Sequence, residues 1–202
     1  MTKARSKSEE KGIRILDSAV ELFTEQGFAS TSMDQIAKRA GVSKQTVYSH
    51  HGSKEELFVA AVGCKCTFHQ MTQEEFEPGP DLRAQLLNIA QNFAALVTSR
   101  EAIQVARTCT SEAETYPELS RLFFEAGPDR VISRLSRLLA EFDRNGELCI
   151  PEPRFAAVQL LKMVEGEQQI RLNLNVEGLM PEAEYRRYVT QCVDAFLRAY
   201  AP

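Results

Sequence analysis

Apolar residues recur along most of this chain every three or four positions, the spacing that lines one face of an α-helix. Ile13, Leu16, Ala19, Val20, Leu22 and Phe23 form the first such stripe and predict a helix over 10–26, closed by Gly27. Ser32, with Gln35 three residues on, is a capping box, so a second helix should begin at Met33 and bury Ile36, Ala37 and Ala40. Gly41 stands where the chain must turn, and glycine accepts a positive φ without steric cost. Ser43 can cap a third helix whose Val47 faces inward, and Ser53-Lys54-Glu55-Glu56 is a further capping box. The helix it opens should run from Lys54 to about Glu75 and break at Glu77-Pro78-Gly79-Pro80.

The pattern continues helix after helix. Asp81 caps a segment reaching to about Ser99, and the next spans 101–114 and stops before Tyr116-Pro117. A long helix over 117–144 is interrupted at Gly127-Pro128 and closed by Asn145-Gly146. Pro151 and Pro153 open a helix to about Asn175, and Pro181 opens the last, to about Tyr200. Strand-like alternation and hairpin turns are absent. The expected fold class is all-α with nine helices: a three-helix head carrying a helix-turn-helix and a six-helix regulatory body. The expected domains are 1–60 and 61–202.

Two short helices joined by a tight turn, with a capped helix directly after, are the layout that places a second helix in the DNA major groove. The polar side of that helix offers Lys44, Gln45, Thr46, Tyr48, Ser49 and His50. Gln, Ser and Thr can read base edges, while Lys and Tyr reach phosphates. The competing reading is an ordinary solvated helix in a small helical subdomain.

Charge fits the first reading only when its distribution is considered. The net charge is -4, but residues 1–60 hold 9 Lys+Arg against 8 Asp+Glu, whereas the remainder holds 15 against 20. Lys3, Arg5, Lys7, Lys11 and Arg14 crowd the leading segment and could grip phosphates, or serve as a solvated tail. With 44% hydrophobic and 26% charged residues, the chain is a globular protein. No apolar run reaches the ~20 residues of a membrane helix, and the polar N-terminus lacks a secretory h-region, so a cytoplasmic location is expected with no membrane partner.

Gly27-Phe28, Thr31-Ser32-Met33, Ile36-Ala37, Ala40-Gly41-Val42-Ser43, Thr46-Val47-Tyr48 and Ser53-Lys54-Glu55-Glu56-Leu57-Phe58 resemble the N-terminal signature of the TetR (tetracycline-repressor-like) family over about residues 10–60. Ser111-Glu112-Ala113 and Tyr116-Pro117-Glu118-Leu119 look like a recurrent segment of one of its regulatory-domain subgroups. The resemblance implies a one-component regulator that binds double-stranded DNA as a homodimer and is released by a small-molecule effector. It extends the DNA-contact set to Thr31, Ser32, Ser43, Lys44, Gln45, Thr46, Tyr48, Ser49, His50 and Lys54. One departure stands out: His51 occupies a position where the family commonly has Phe, a titratable ring in place of an apolar plug.

The last two helices carry large apolar residues around much of their girth, more than one buried stripe needs. Phe155, Val158, Tyr185, Val189, Cys192, Val193 and Phe196 are therefore the expected dimer interface, built as a four-helix bundle. The alternative is core packing within one subunit. Phe68, Met71, Phe93, Arg107, Phe124, Met163 and Glu167 form a candidate effector pocket, against the alternative that these residues are plain core. Arg107 hints at an acidic ligand or, preferably, an internal carboxylate.

An enzyme is excluded on inventory: His50, His51 and His69 are the only histidines, and no nucleophile, metal-protease or phosphate-loop motif occurs. Five cysteines at 64, 66, 109, 149 and 192 form no C-x-x-C pair or disulfide framework. Cys66 and His69 share a helical face, yet a metal site there lacks a fourth ligand, and no cofactor is expected. The remaining alternatives are a regulator sensing thiol oxidation through Cys64 or Cys109, and a helical adaptor that binds protein.

Overall fold

A computed structural model of the chain describes residues 7–71 and 81–202, apart from the Phe68 side chain. Among these residues every regular element is a helix: α1 (Lys7–Gln26), α2 (Met33–Ala40), α3 (Lys44–His51), α4 (Lys54–Phe68), α5 (Leu82–Val97), α6 (Arg100–Ser111), α7 (Pro117–Ala126), α8 (Pro128–Arg144), α9 (Pro153–Leu174) and α10 (Glu182–Ala199). The fold is all-α, as the periodicity requires. The interruption foreseen at Gly127-Pro128 separates α7 from α8. Counting that interrupted helix once gives the nine expected, and counting its halves gives ten.

Helix ends follow local chemistry. Gly41 (φ 64, ψ 40) closes α2 with its own N–H and that of Val42 donating back to Lys38 and Ala37, the paired bonds of a Schellman turn. Gly146 does the same after α8. α4 stops at Phe68, short of the expected Glu75. Gln70 adopts φ 58, its N–H reaches the Thr67 carbonyl, and Met71 donates to Cys66. A glutamine in that left-handed position gives no warning in the sequence, because glycine is its usual occupant. The Glu77–Pro80 break lies outside the described residues.

The chain forms two compact units, and they do not divide at a single point. The first comprises Met1–Cys64 with Gln104–Ala126; the second comprises Lys65–Ile103 with Gly127–Pro202. The divisions fall inside α4, inside α6 and between α7 and α8. The first unit has a core of Ile15, Phe23, Phe28, Ile36, Val47, Leu57 and Phe58, joined by Cys109, Leu119 and Ala126. Phe23, Phe28 and Phe58 meet pairwise at 5.3–5.5 Å between ring centroids. Burying each such ring contributes roughly 1.5–3 kcal/mol. In the second unit α10 packs on α5 and α9, and α8 packs on α9. Leu86, Leu135, Leu139, Phe142, Leu160, Val164, Val193 and Phe196 are at its centre.

α9 contains a break that helical periodicity hides. Gly166 adopts φ 50, ψ -155 inside the helix. The carbonyls freed there are taken up by α10: Tyr188 Oη donates to Met163 O at 2.6 Å and Tyr185 Oη to Val164 O at 2.9 Å.

Candidate functional site

The helix-turn-helix is held by the bonds its sequence announces. Ser32 accepts from the Gln35 N–H at 3.2 Å, and the Gln35 side chain accepts from the Ser32 N–H at 2.7 Å. Ser43 accepts from the Thr46 N–H at 3.1 Å, fixing the start of α3. Val47 is wholly buried and anchors α3 to the core. That orientation leaves Lys44, Gln45, Tyr48 and Ser49 exposed on the opposite side, with Thr46 and His50 half-buried. Tyr48 is 44% exposed, unusual for an aromatic side chain with a core beneath it. Ser49 donates to the Thr46 carbonyl at 2.9 Å and would have to rotate to meet a base. The His50 ring rests over α1: its Nδ1 is 3.5 Å from where a Cβ on Gly12 would lie.

Lys44 is paired with Asp34 of α2 at 2.9 Å, and that bond raises its pKa. Both groups are exposed, so a phosphate can displace the carboxylate at little cost. Nothing in the sequence marks Asp34 for this pairing, since a first-turn acid reads as an ordinary helix-dipole residue. His51 is half-buried, and burial lowers its pKa, with His50 adding to the shift and Glu56 opposing it.

Two members of the expected DNA-contact set are engaged elsewhere. Thr31 is buried, and its hydroxyl donates to the Gly27 carbonyl at 2.7 Å. Lys54 directs its ammonium to the carbonyls of Phe28 at 2.9 Å and Thr31 at 3.0 Å, and lies 4.2 Å from the Phe28 ring centroid. Burial lowers its pKa. Thr31 thus ties the loop before α2 back to the end of α1, Lys54 ties the same loop to the start of α4, and neither presents its polar atoms outward. Ser32 and Ser43 are occupied as caps.

The expected dimer residues divide sharply. Tyr185, Val189, Cys192, Val193 and Phe196 are buried within the single chain, which leaves them little surface of their own to offer a second subunit. The second apolar stripe of α10 is taken up by packing on α5 and α9. Val158 is half-buried, and Phe155 is 64% exposed on α9. Ile170 and Leu174 are also exposed, and no separate signal in the sequence marks them out from core positions. Between α9 and α10 runs an open groove of about 620 Å³ lined by Gln159, Lys162, Met163, Ala195, Phe196, Ala199 and Tyr200.

The expected effector set is likewise not one cluster. Met71 and Phe93 are buried in the core of the second unit, and Met163 packs against it. Glu167 is on the surface of α9, paired with Arg171 at 2.6 Å. Phe124 is 47% exposed, and with Arg107 it belongs to the first unit. The Phe68 side chain is outside the described residues. Cys109 is buried, and burial pushes its thiol up to about 12, which removes the thiolate a sensor needs. Cys64 is exposed. Among the described residues no three His, Cys, Asp or Glu side chains gather to hold a metal, and no helix is long and apolar enough to cross a membrane.

A capped helix-turn-helix with a polar recognition face, joined to a larger helical body, defines a DNA-binding regulator. Residues 15–61 match the model of the TetR family of bacterial regulatory proteins, and residues 84–202 match that of the C-terminal domain of AefR-like transcriptional repressors. The chain belongs to the TetR family of transcriptional regulators. It is 32% identical to the flavonoid-responsive regulator FrrA, with 96% of this chain and 98% of that one covered at a TM-score of 0.75. A TetR-family regulator from Mesorhizobium loti is 25% identical, covering 98% and 100% of the two chains at a TM-score of 0.77. The regulator SrpR of Pseudomonas putida is 38% identical over 63 residues, 31% of this chain and 30% of that protein. The match to such curated relatives thus spans about 25–30% of their length.

Proposed function

We propose that the chain is a homodimeric repressor that binds a palindromic operator through α3 and is released by a small apolar effector. The observation that carries this reading is the exposed polar side of α3, held rigid by the Ser43 cap and the buried Val47. We assign base reading to Gln45 and Thr46, and phosphate contact to Lys44, Tyr48 and His50, with Ser49 joining by rotation. Two recognition helices related by a two-fold axis require half-sites about one helical turn apart, or a multiple of it. We place the DNA-contacting side chains within residues 1–60 and the effector-binding and dimer-forming side chains within 61–202, with the protein acting in the cytoplasm.

For the dimer, the exposed Phe155 and the α9–α10 groove supply the self-complementary knob and recess that an isologous interface needs. For the effector, we assign the apolar side chains around Met71, Phe93 and Met163 in the second unit, which would have to part to admit a flat aromatic molecule, in keeping with the flavonoid named for FrrA. Effector binding weakens DNA binding only by the difference in its affinity for the DNA-competent and DNA-incompetent states.

The test is selection of bound fragments from the organism's own DNA, followed by mobility shifts over a salt series. Operator affinity should exceed random-duplex affinity by about 10³-fold or more, and both should weaken as salt rises. Release of the selected fragment by one of a panel of flavonoids supports the effector assignment. Binding without sequence preference or salt dependence would instead support the protein-binding adaptor.

A further inference from the structure

Ser111–Leu119 stood out in the sequence, yet lies outside the helix-turn-helix. In the structure Gln104–Ala126 belongs to the same compact unit as the head. Its centre is Tyr116. The ring stacks on Phe28 at 5.7 Å, and its Oη donates to Glu55 at 3.1 Å. Its own N–H donates to the Glu112 carbonyl at 2.7 Å, closing the turn after α6.

The two residues Tyr116 touches stand at opposite ends of the helix-turn-helix. Phe28 precedes α2, and Glu55 opens α4 directly after the α3 cap at Gly52. Lys54 joins them, bonded to the carbonyls of Phe28 and Thr31 and lying over the Phe28 ring. The Glu112 carboxylate lies close enough to interact with the Lys54 charge and has one buried oxygen with no hydrogen-bond partner. Gly27 lies beside this arrangement with φ 80, a conformation that disfavours any side chain, although a Cβ there would make only ordinary contact with Thr108 at 3.6 Å and Glu112 at 4.0 Å.

We propose that the Glu112–Leu119 turn completes the DNA-reading head, and that Tyr116 is a positioning residue for operator recognition, acting through Phe28, Lys54 and Glu55. The inference rests on the DNA-binding reading above. Tyr116 touches no DNA. It holds the loop before α2 and the start of α4 at a fixed separation, and α3 is strung between them. Base contacts tolerate little displacement, whereas phosphate contacts by long side chains tolerate more. Loosening this support therefore costs discrimination before it costs general affinity.

The experiment uses the full chain, with Tyr116→Leu, which removes stack and bond, and Tyr116→Phe, which removes the bond alone. The probe is a genomic fragment selected by the wild-type protein, against a random duplex. For Tyr116→Leu the fragment affinity should fall by about tenfold, within the range one bidentate base contact carries, with random-duplex affinity unchanged. Tyr116→Phe should fall between. In the free protein, amide exchange over 44–51 should quicken while exchange in α8 stays as in wild type. If the leucine variant does not fold, quicker exchange over 44–51 in Tyr116→Phe is the supporting result. Exchange over 44–51 unchanged in the folded variants, or fragment and random duplex weakening together, overturns the inference. A wild-type protein that selects no fragment overturns instead the reading on which it rests.

Discussion

Replacing Gly166 by alanine should destabilise the protein, although alanine is the better helix former by roughly 1 kcal/mol. The reason is local. Gly166 sits at φ 50, ψ -155, beside the region that only glycine occupies readily. A side chain there costs on the order of 1–3 kcal/mol in backbone strain. Its Cβ would also lie 2.5 Å from Tyr188 Oη and 2.8 Å from two further ring atoms. Tyr188 would have to withdraw, losing its bond to the Met163 carbonyl and with it about 1 kcal/mol. The sum is a loss of about 2–4 kcal/mol. At roughly 2–4 °C per kcal/mol for a chain of this size, the melting temperature should drop by about 5–15 °C. Calorimetry and urea unfolding of Gly166→Ala, Tyr188→Ala and the double variant form the assay. The double variant should be more stable than the two single losses predict, since the clash is then absent. A Gly166→Ala protein as stable as wild type or more so would show that α9 runs unbroken, and would refute the reasoning.

Lys54→Ala should destabilise the head by about 2 kcal/mol, because two carbonyls lose a charged donor. Its salt slope on random duplex should stay unchanged; a slope reduced by about one with stability intact would return Lys54 to the phosphate contacts. His51 has a folded pKa below its ordinary value of ~6.5. The unfolded chain therefore binds that proton first, and the stability it contributes is full above ~6.5 and lost as pH falls below it. His69 in the second unit is shifted the same way, mainly by burial. Melting of His51→Phe between about pH 7.5 and pH 6 should therefore show a shallower but non-zero loss, whereas a loss as steep as wild type would assign the acid sensitivity elsewhere. Phe155→Glu should yield a folded monomer by light scattering, since the side chain is exposed in the single chain; a dimer of wild-type strength would place the interface away from α9.

The head was readable because its signals are short-range. Ser32 with Gln35, Gly41 and Ser43 act within four residues of themselves, and the structure shows each making the bond or turn its type dictates. Helix existence in the body followed from periodicity in the same way. What periodicity cannot say is what an apolar stripe faces. Val189, Val193 and Phe196 carry the pattern of an interface and are instead enclosed by α5 and α9. The Gly166 break depends on Tyr185 and Tyr188, about twenty residues away, so no local pattern reveals it. Lys54 looks like a free cation until Phe28 is folded beneath it. Tyr116 and Glu55 likewise meet only across 61 positions of sequence.

Sequence-specific DNA reading by α3 is the central claim, and Gln45→Ala tests it most directly. The variant keeps the Ser43 cap and the buried Val47, so the head remains folded. Its affinity for a fragment selected by the wild-type protein should fall by about 1–3 kcal/mol, with random-duplex affinity and its salt dependence unchanged. Fragment affinity equal to that of wild type would contradict the assignment of α3 as the helix that reads the operator through Gln45.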